Sequence, residues 1–116
     1  TERIAAEFNS DIFLYHRVTG EFVRVTDSDA YWEVTPCFHP EAGKLVYASN
    51  EAGAFDIWVH ELGGGARTRL TASDGTDEIE PVYDPTRPGF LYAVREFKFP
   101  RERWLESISL DGTAAA

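Results

Sequence analysis

Glu33-Val34-Thr35-Pro36-Cys37-Phe38-His39-Pro40, with Leu45-Val46-Tyr47-Ala48 and Asp56-Ile57-Trp58-Val59 behind it, decides the fold, because each piece occurs twice in the chain. At a constant offset of 45 residues, Glu33-Val34-Thr35-Pro36 returns as Glu78-Ile79-Glu80-Pro81 and Leu45-Val46-Tyr47-Ala48 as Phe90-Leu91-Tyr92-Ala93. In the other direction, Asp56-Ile57-Trp58-Val59 is preceded by Asp11-Ile12-Phe13-Leu14, Gly65 by Gly20, and Arg69-Leu70-Thr71 by Arg24-Val25-Thr26. Asp29 and Asp74, and Pro40 and Pro85, keep the same offset. A fixed period of this length marks stacked supersecondary units rather than one irregular core.

Within a period the apolar runs are short. Lys44 to Asn50, Asp56 to Leu62 and Arg67 to Thr71 read as strands, with a further strand starting at Pro36 to His39. Pro40 to Gly43, Ala52-Gly53 and Gly63-Gly64-Gly65 supply the turns between them. Leu45-Val46-Tyr47-Ala48 and Phe90-Leu91-Tyr92-Ala93-Val94 do not alternate apolar with polar. Such strands need both faces covered, as in a sheet held between two other sheets.

Composition narrows the function classes. The 116 residues carry a net charge of −9, the wrong sign for a chain that neutralises phosphates or anionic lipid, so nucleic acid and membrane surfaces are not expected partners. The apolar and aromatic content is ample for a core. No apolar run approaches the roughly 18 to 20 residues of a membrane span, and no basic leader precedes an apolar stretch. Cys37 is the one cysteine, so neither an internal disulfide nor a cysteine-based zinc site is expected. The chain contains no Met and begins at Thr1, which reads as a processed chain or a part of a longer reading frame.

Taken together, Glu33 to Pro40, Gly43 to Glu51, Gly53, Asp56 to Val59 and Leu70-Thr71 resemble the TolB-type β-propeller repeat, a relative of WD-like repeats. That repeat runs acidic-x-x-Pro-x-Trp-Ser-Pro-Asp-Gly, Ile-Ala-Phe-x-Ser-x-x-x-Gly, Asp-Ile-Tyr and a closing Leu-Thr. Here His39 to Gly43 and Asp84 to Gly89 are longer than Ser-Pro-Asp-Gly, and Arg95 to Arg103 replaces the Ser-x-x-x-Gly turn. The resemblance implies an all-β propeller segment of four-stranded antiparallel blades whose ring is incomplete in one chain. It divides the chain into a partial blade (1–27, strands at Arg3 to Glu7, Asp11 to Arg17 and Glu21 to Thr26), a complete blade (28–71) and a partial blade (72–116, three strands ending at Leu110).

Residues that recur in every repeat serve the blade, whereas function breaks the symmetry. Glu33 and Glu78 recur. Sheets stack roughly 10 Å apart, so this pair reads either as an acid–base couple of the inverting glycosidase kind or, as favoured here, as carboxylates accepting from turn amides. The symmetry breaks where Tyr31-Trp32 meets Thr76-Asp77, where His39 meets Asp84, and around Lys98. Tyr31 and Trp32 enter the inner strand on a propeller's usual binding face, where aromatics anchor partners; the competing reading packs Trp32 between blades. The candidate binding residues are thus Tyr31, Trp32, Glu33, Asp77 and Glu78.

His16 and His60 read as half-buried strand residues, and with His39 they lack paired ligand spacing, so no metal is expected. Asp74, Asp77, Glu78, Glu80 and Asp84 lack the ligand pattern of a calcium loop and read as a solvated acidic stretch. No nucleophile elbow, phosphate loop or Cys-His pair is present, so no catalytic residue and no cofactor are expected.

A non-catalytic scaffold binding a protein or peptide is the leading function. The alternative is the propeller part of an enzyme, either a prolyl-oligopeptidase-like gate or an oligogalacturonate-lyase-like propeller. The resemblance implies a periplasmic or extracellular location. An open arc leaves two blade faces bare, each with about 200 Å² of apolar surface. At about 25 cal/mol per Å² this forgoes about 5 kcal/mol per face, against roughly 5–15 kcal/mol for a whole domain. The chain is therefore expected to be covered by further blades, by pairing with itself into a six-bladed ring or as part of a longer chain.

Overall fold

The computed structural model describes residues 10–27, 31–41, 43–72, 75–98 and 100–110, and the backbone of 114 and 115. The described residues contain strands and no helix. β1 (Phe13–Tyr15) and β2 (Phe22–Arg24) pair antiparallel. β3 (Glu33–Phe38), β4 (Lys44–Ser49), β5 (Asp56–Glu61) and β6 (Arg67–Arg69) form a four-stranded antiparallel meander. β7 (Thr76–Tyr83), β8 (Phe90–Lys98), β9 (Arg101–Ser109) and β10 (Ala114–Ala115) form a second. The chain is an all-β propeller segment with successive blades stacked face to face.

Period-two alternation in β4 explains its unbroken apolar run. Val46 and Ala48 point to one side, where with Ile57 they pack on Leu91, Ala93 and Ile108 of the third sheet. Leu45 and Tyr47 point to the other, where they pack on Ile12 and Leu14 of the first. All four of these β4 side chains are buried, so the strand is sealed on both faces.

The repeat also recurs in its polar parts. Thr26 Oγ1 accepts from Ile12 N at 2.8 Å, and Thr71 Oγ1 from Ile57 N at 3.0 Å. Arg24 pairs with Asp11, and Arg69 with the fully buried Asp56. The closing Val/Leu-Thr of each period thus fastens the outer strand to the strand before it. Gly20 and Gly65, both at φ 77°, close the same hairpin, donating to His16 O and Glu61 O at 2.8 Å. Thr35 (φ 49°) and Glu80 (φ 56°) are equivalent left-handed residues at the bulges that shift the β3–β4 and β7–β8 registers. Each precedes a proline, which has no N–H to give the ladder, so the irregularity falls where a hydrogen bond is already forfeited.

Three expectations change. The last sheet has a fourth strand, β10, where three ending at Leu110 were expected; two alanines carry no β signal, and backbone pairing to Ile108 and Ser107 alone defines them. Arg95 to Arg103 is not a longer turn but a longer hairpin, paired out to Lys98 and Arg101. His16 is exposed and sits just past β1, where its Nδ1 accepts from Thr19 N, rather than lying within a strand. The strand expected at Arg3 to Glu7 lies outside the described residues, as do Asp29 and Asp74.

The two-sided burial sets a contrast. Leu91→Ala opens a void at a blade junction and is expected to cost about 2–5 kcal/mol. Val18→Ala, at an exposed turn, is expected to stay within about 0.5 kcal/mol; urea unfolding of the two variants measures both.

Candidate functional site

Of the symmetry-breaking residues, Trp32, Asp77 and Lys98 lie at one end of the blades, and His39 and Asp84, which follow β3 and β7, lie at the other. Trp32, just before β3, donates its backbone N–H to Asn50 Oδ1 at 2.8 Å, and Asn50 N returns a bond to Trp32 O at 3.3 Å. The Trp32 side chain is held at the surface, 40% exposed, rather than enclosed between blades. Tyr31 beside it is half-buried. Asn50 also lines a cavity of about 440 Å³ between the 50–55 loop and the start of β7, together with Phe55, Gly75, Thr76, Asp77 and Lys98. Asp77 is buried there; its Oδ1 accepts from Phe55 N at 2.9 Å and its Oδ2 lies 3.3 Å from Lys98 Nζ. The turn amide that was assigned to the recurring glutamates is therefore taken by Asp77, one residue earlier.

Glu33 and Glu78 are both buried, 2% and 1% exposed, and each faces a blade junction. Their settings differ. Glu33 lies near Asp11 and Thr26, yet neither carboxylate oxygen completes a hydrogen bond of normal geometry. Burial, with Asp11 adding to it, pushes Glu33 up to about 7. Glu78 is paired across the ladder with Arg95, whose Nη2 lies 3.3 Å from its Oε2. Burial raises Glu78, but Glu106, Thr71 and the Arg95 guanidinium together outweigh it and hold the carboxyl below its ordinary value. Glu106, 3.5 Å from Arg95 Nε, takes the opposite course: burial and the neighbouring Glu78 push it up to about 7. Ser49 stands across the ladder from Glu33 where Arg95 stands across from Glu78, so the first junction has no guanidinium on the neighbouring strand to compensate Glu33.

Sequence reading singled out Trp32 and Asp77 as breaks in the repeat, and it read Glu33 and Glu78 as acceptors of turn amides. It missed Asn50, Arg95 and Glu106. Glu106 pairs with Ala93 on the face turned to the preceding blade, as Trp58 pairs with Tyr47, an equivalence that the lengthened hairpin hides from an alignment at constant offset. His60 is buried, with Nδ1 3.2 Å from Tyr47 Oη. Among the described residues no group of three His, Cys, Asp or Glu side chains is placed to hold a metal ion.

Compared with protein-family models and with curated proteins, the chain finds no match. Among solved structures it is similar to "The structure of putative TolB from Agrobacterium tumefaciens", with a TM-score of 0.75 at 17% identity over 88% of this chain. The chain spans 38% of that structure's length. At this identity the likeness is one of fold, and it agrees with the TolB-type propeller that the repeat resembles.

The raised Glu33 makes stability depend on pH with a definite sign. A carboxyl lifted from 4.5 to about 7 favours the folded state below its ordinary value, and that contribution is lost as pH rises from about 4.5 to about 7. At about 1.36 kcal/mol per unit, the loss is on the order of 3 kcal/mol. Urea unfolding at about pH 5 and about pH 8 is expected to show lower stability at the higher pH, and Glu33→Gln is expected to reduce that difference, leaving the part contributed by Glu106.

Proposed function

We propose that the chain is a non-catalytic portion of a β-propeller that binds a protein or peptide at the Trp32–Asn50–Asp77 end of its blades. Further blades, from a second copy or a longer chain, cover its two open faces. The observation that carries the reading is the gathering of Trp32, Asn50, Asp77 and Lys98 around one end, because none of these residue types is required by the repeat. An exposed indole beside a polar cavity suits the anchoring of a partner. The recurring carboxylates support a scaffold rather than a hydrolase, since both are buried against neighbouring blades.

The open faces support the second half. On one side Phe13, Tyr15 and Phe22 are exposed, at 55%, 54% and 71%. On the other, Val82 and Leu105 are exposed at 58% and 75%, beside their ladder partners Tyr92 and Val94. Such apolar faces drive association.

Two measurements test the reading. Peptides selected against the chain from a random display library are expected to lose about tenfold in affinity for Trp32→Ala, while Leu105→Asp leaves them unchanged; binders indifferent to Trp32 overturn the site. Sedimentation equilibrium is expected to give a mass above the 13.0 kDa of one chain, returning to it in Leu105→Asp/Phe22→Asp. A cooperatively unfolding monomer overturns the need for cover.

A further inference from the structure

Resting on the binding-scaffold reading, we propose that Asp77 is the receptor for a lysine or arginine side chain of the bound peptide, and that Lys98 fills it as a tethered stand-in in the free protein. The cavity of about 440 Å³ that both residues line falls within the range of ligand pockets. Asp77 is preorganised. Its side chain is 12% exposed, one oxygen is fixed by the Phe55 N–H at 2.9 Å, and the other is directed at a cation 3.3 Å away. A carboxylate so far removed from water needs a positive partner.

Lys98 is a poor permanent choice for that partner. Its side chain is 62% exposed at the end of the β8–β9 hairpin, and an ion pair with such a partner contributes at most about 1 kcal/mol. Exchanging one ammonium for another therefore costs little. Neither member of the pair belongs to the blade pattern. Trp32 occupies the position of Asp77 one repeat earlier, and Lys98 lies in the lengthened hairpin. The rest of the chain selects the sign of the ligand: a net charge of −9 draws basic segments in and repels acidic ones. Asn50 joins this pocket to the exposed Trp32, so a peptide laid across the indole passes within reach of Asp77.

The test is an NMR titration of the full chain that follows the Phe55 amide, with Nα-acetyl-lysine methylamide, its arginine analogue and its glutamate analogue as probes. The basic probes are expected to shift that amide saturably and the glutamate analogue not at all. Lys98→Gln is expected to tighten the basic probes about two- to fivefold, the equivalent of one surface ion pair. Asp77→Asn is expected to abolish binding. Because Lys98 is exposed, the Lys98→Gln arm stands even if Asp77→Asn fails to fold. Basic probes that bind Lys98→Gln no more tightly than the unaltered chain overturn the proposal. So does preferential binding of the glutamate analogue, which would make Lys98 the receptor. A displayed peptide that depends on Trp32 yet does not compete with the lysine probe overturns this inference and leaves the scaffold reading standing. Basic probes that titrate while no peptide binder is found do the reverse.

Discussion

A sheet with large apolar side chains on both faces cannot be a finished protein, and everything else in this chain follows from that constraint. β4 meets it by presenting Val46 and Ala48 to one neighbour and Leu45 and Tyr47 to the other. Each blade then becomes the solvent shield of the next. The polar fastenings, Asp11 with Arg24, the Ile12 N–H with Thr26, Asp56 with Arg69 and the Ile57 N–H with Thr71, tie each outer strand to the strand before it. The same logic makes the last face in either direction a problem, met in a propeller by closure of the ring.

Repetition and its interruption separate the work of folding from the work of recognition. What returns after 45 residues, including the bulges at Thr35 and Glu80, shapes the blade. Of what does not return, Trp32, Asp77 and Lys98 collect at one end, around Asn50. The loop from 50 to 55 serves both: it carries the Asn50 contact to Trp32, the Phe55 N–H that fixes Asp77, and the Phe55 carbonyl that accepts from Glu78 N at 2.7 Å. The site is therefore built on a segment that the stacking of blades already positions.

Most of the architecture was legible because it rests on signals that survive translation into one dimension: period, apolar runs without alternation, and glycine at hairpins. β10 was invisible because alanine pairs by backbone alone. His16 was misplaced because β1 stops at Tyr15, one residue before the turn closed by Gly20. The chemistry around Glu78 was hidden for a different reason. Glu106 reaches it across the sheet from a hairpin whose length breaks the offset, so its equivalence to Trp58 exists only in the pairing register and the face it shares. The exposure of Trp32 likewise depends on how Asn50 holds its backbone, which no local pattern encodes.

The two junctions also differ in a way that bears on how such repeats can be recombined. Across the ladder from Glu33 the chain offers a hydroxyl, Ser49; across from Glu78 it offers a guanidinium, Arg95. Blades cut from this chain are thus not interchangeable modules. An array of identical central repeats would carry an acid beside a hydroxyl at every seam, and acidification would tighten all of its seams in concert. An array of last repeats would carry its own counter-charge at each seam, and there the response to acid would fall to Glu106 instead. Concatenation would turn a local difference of one side chain into a collective property of the whole ring.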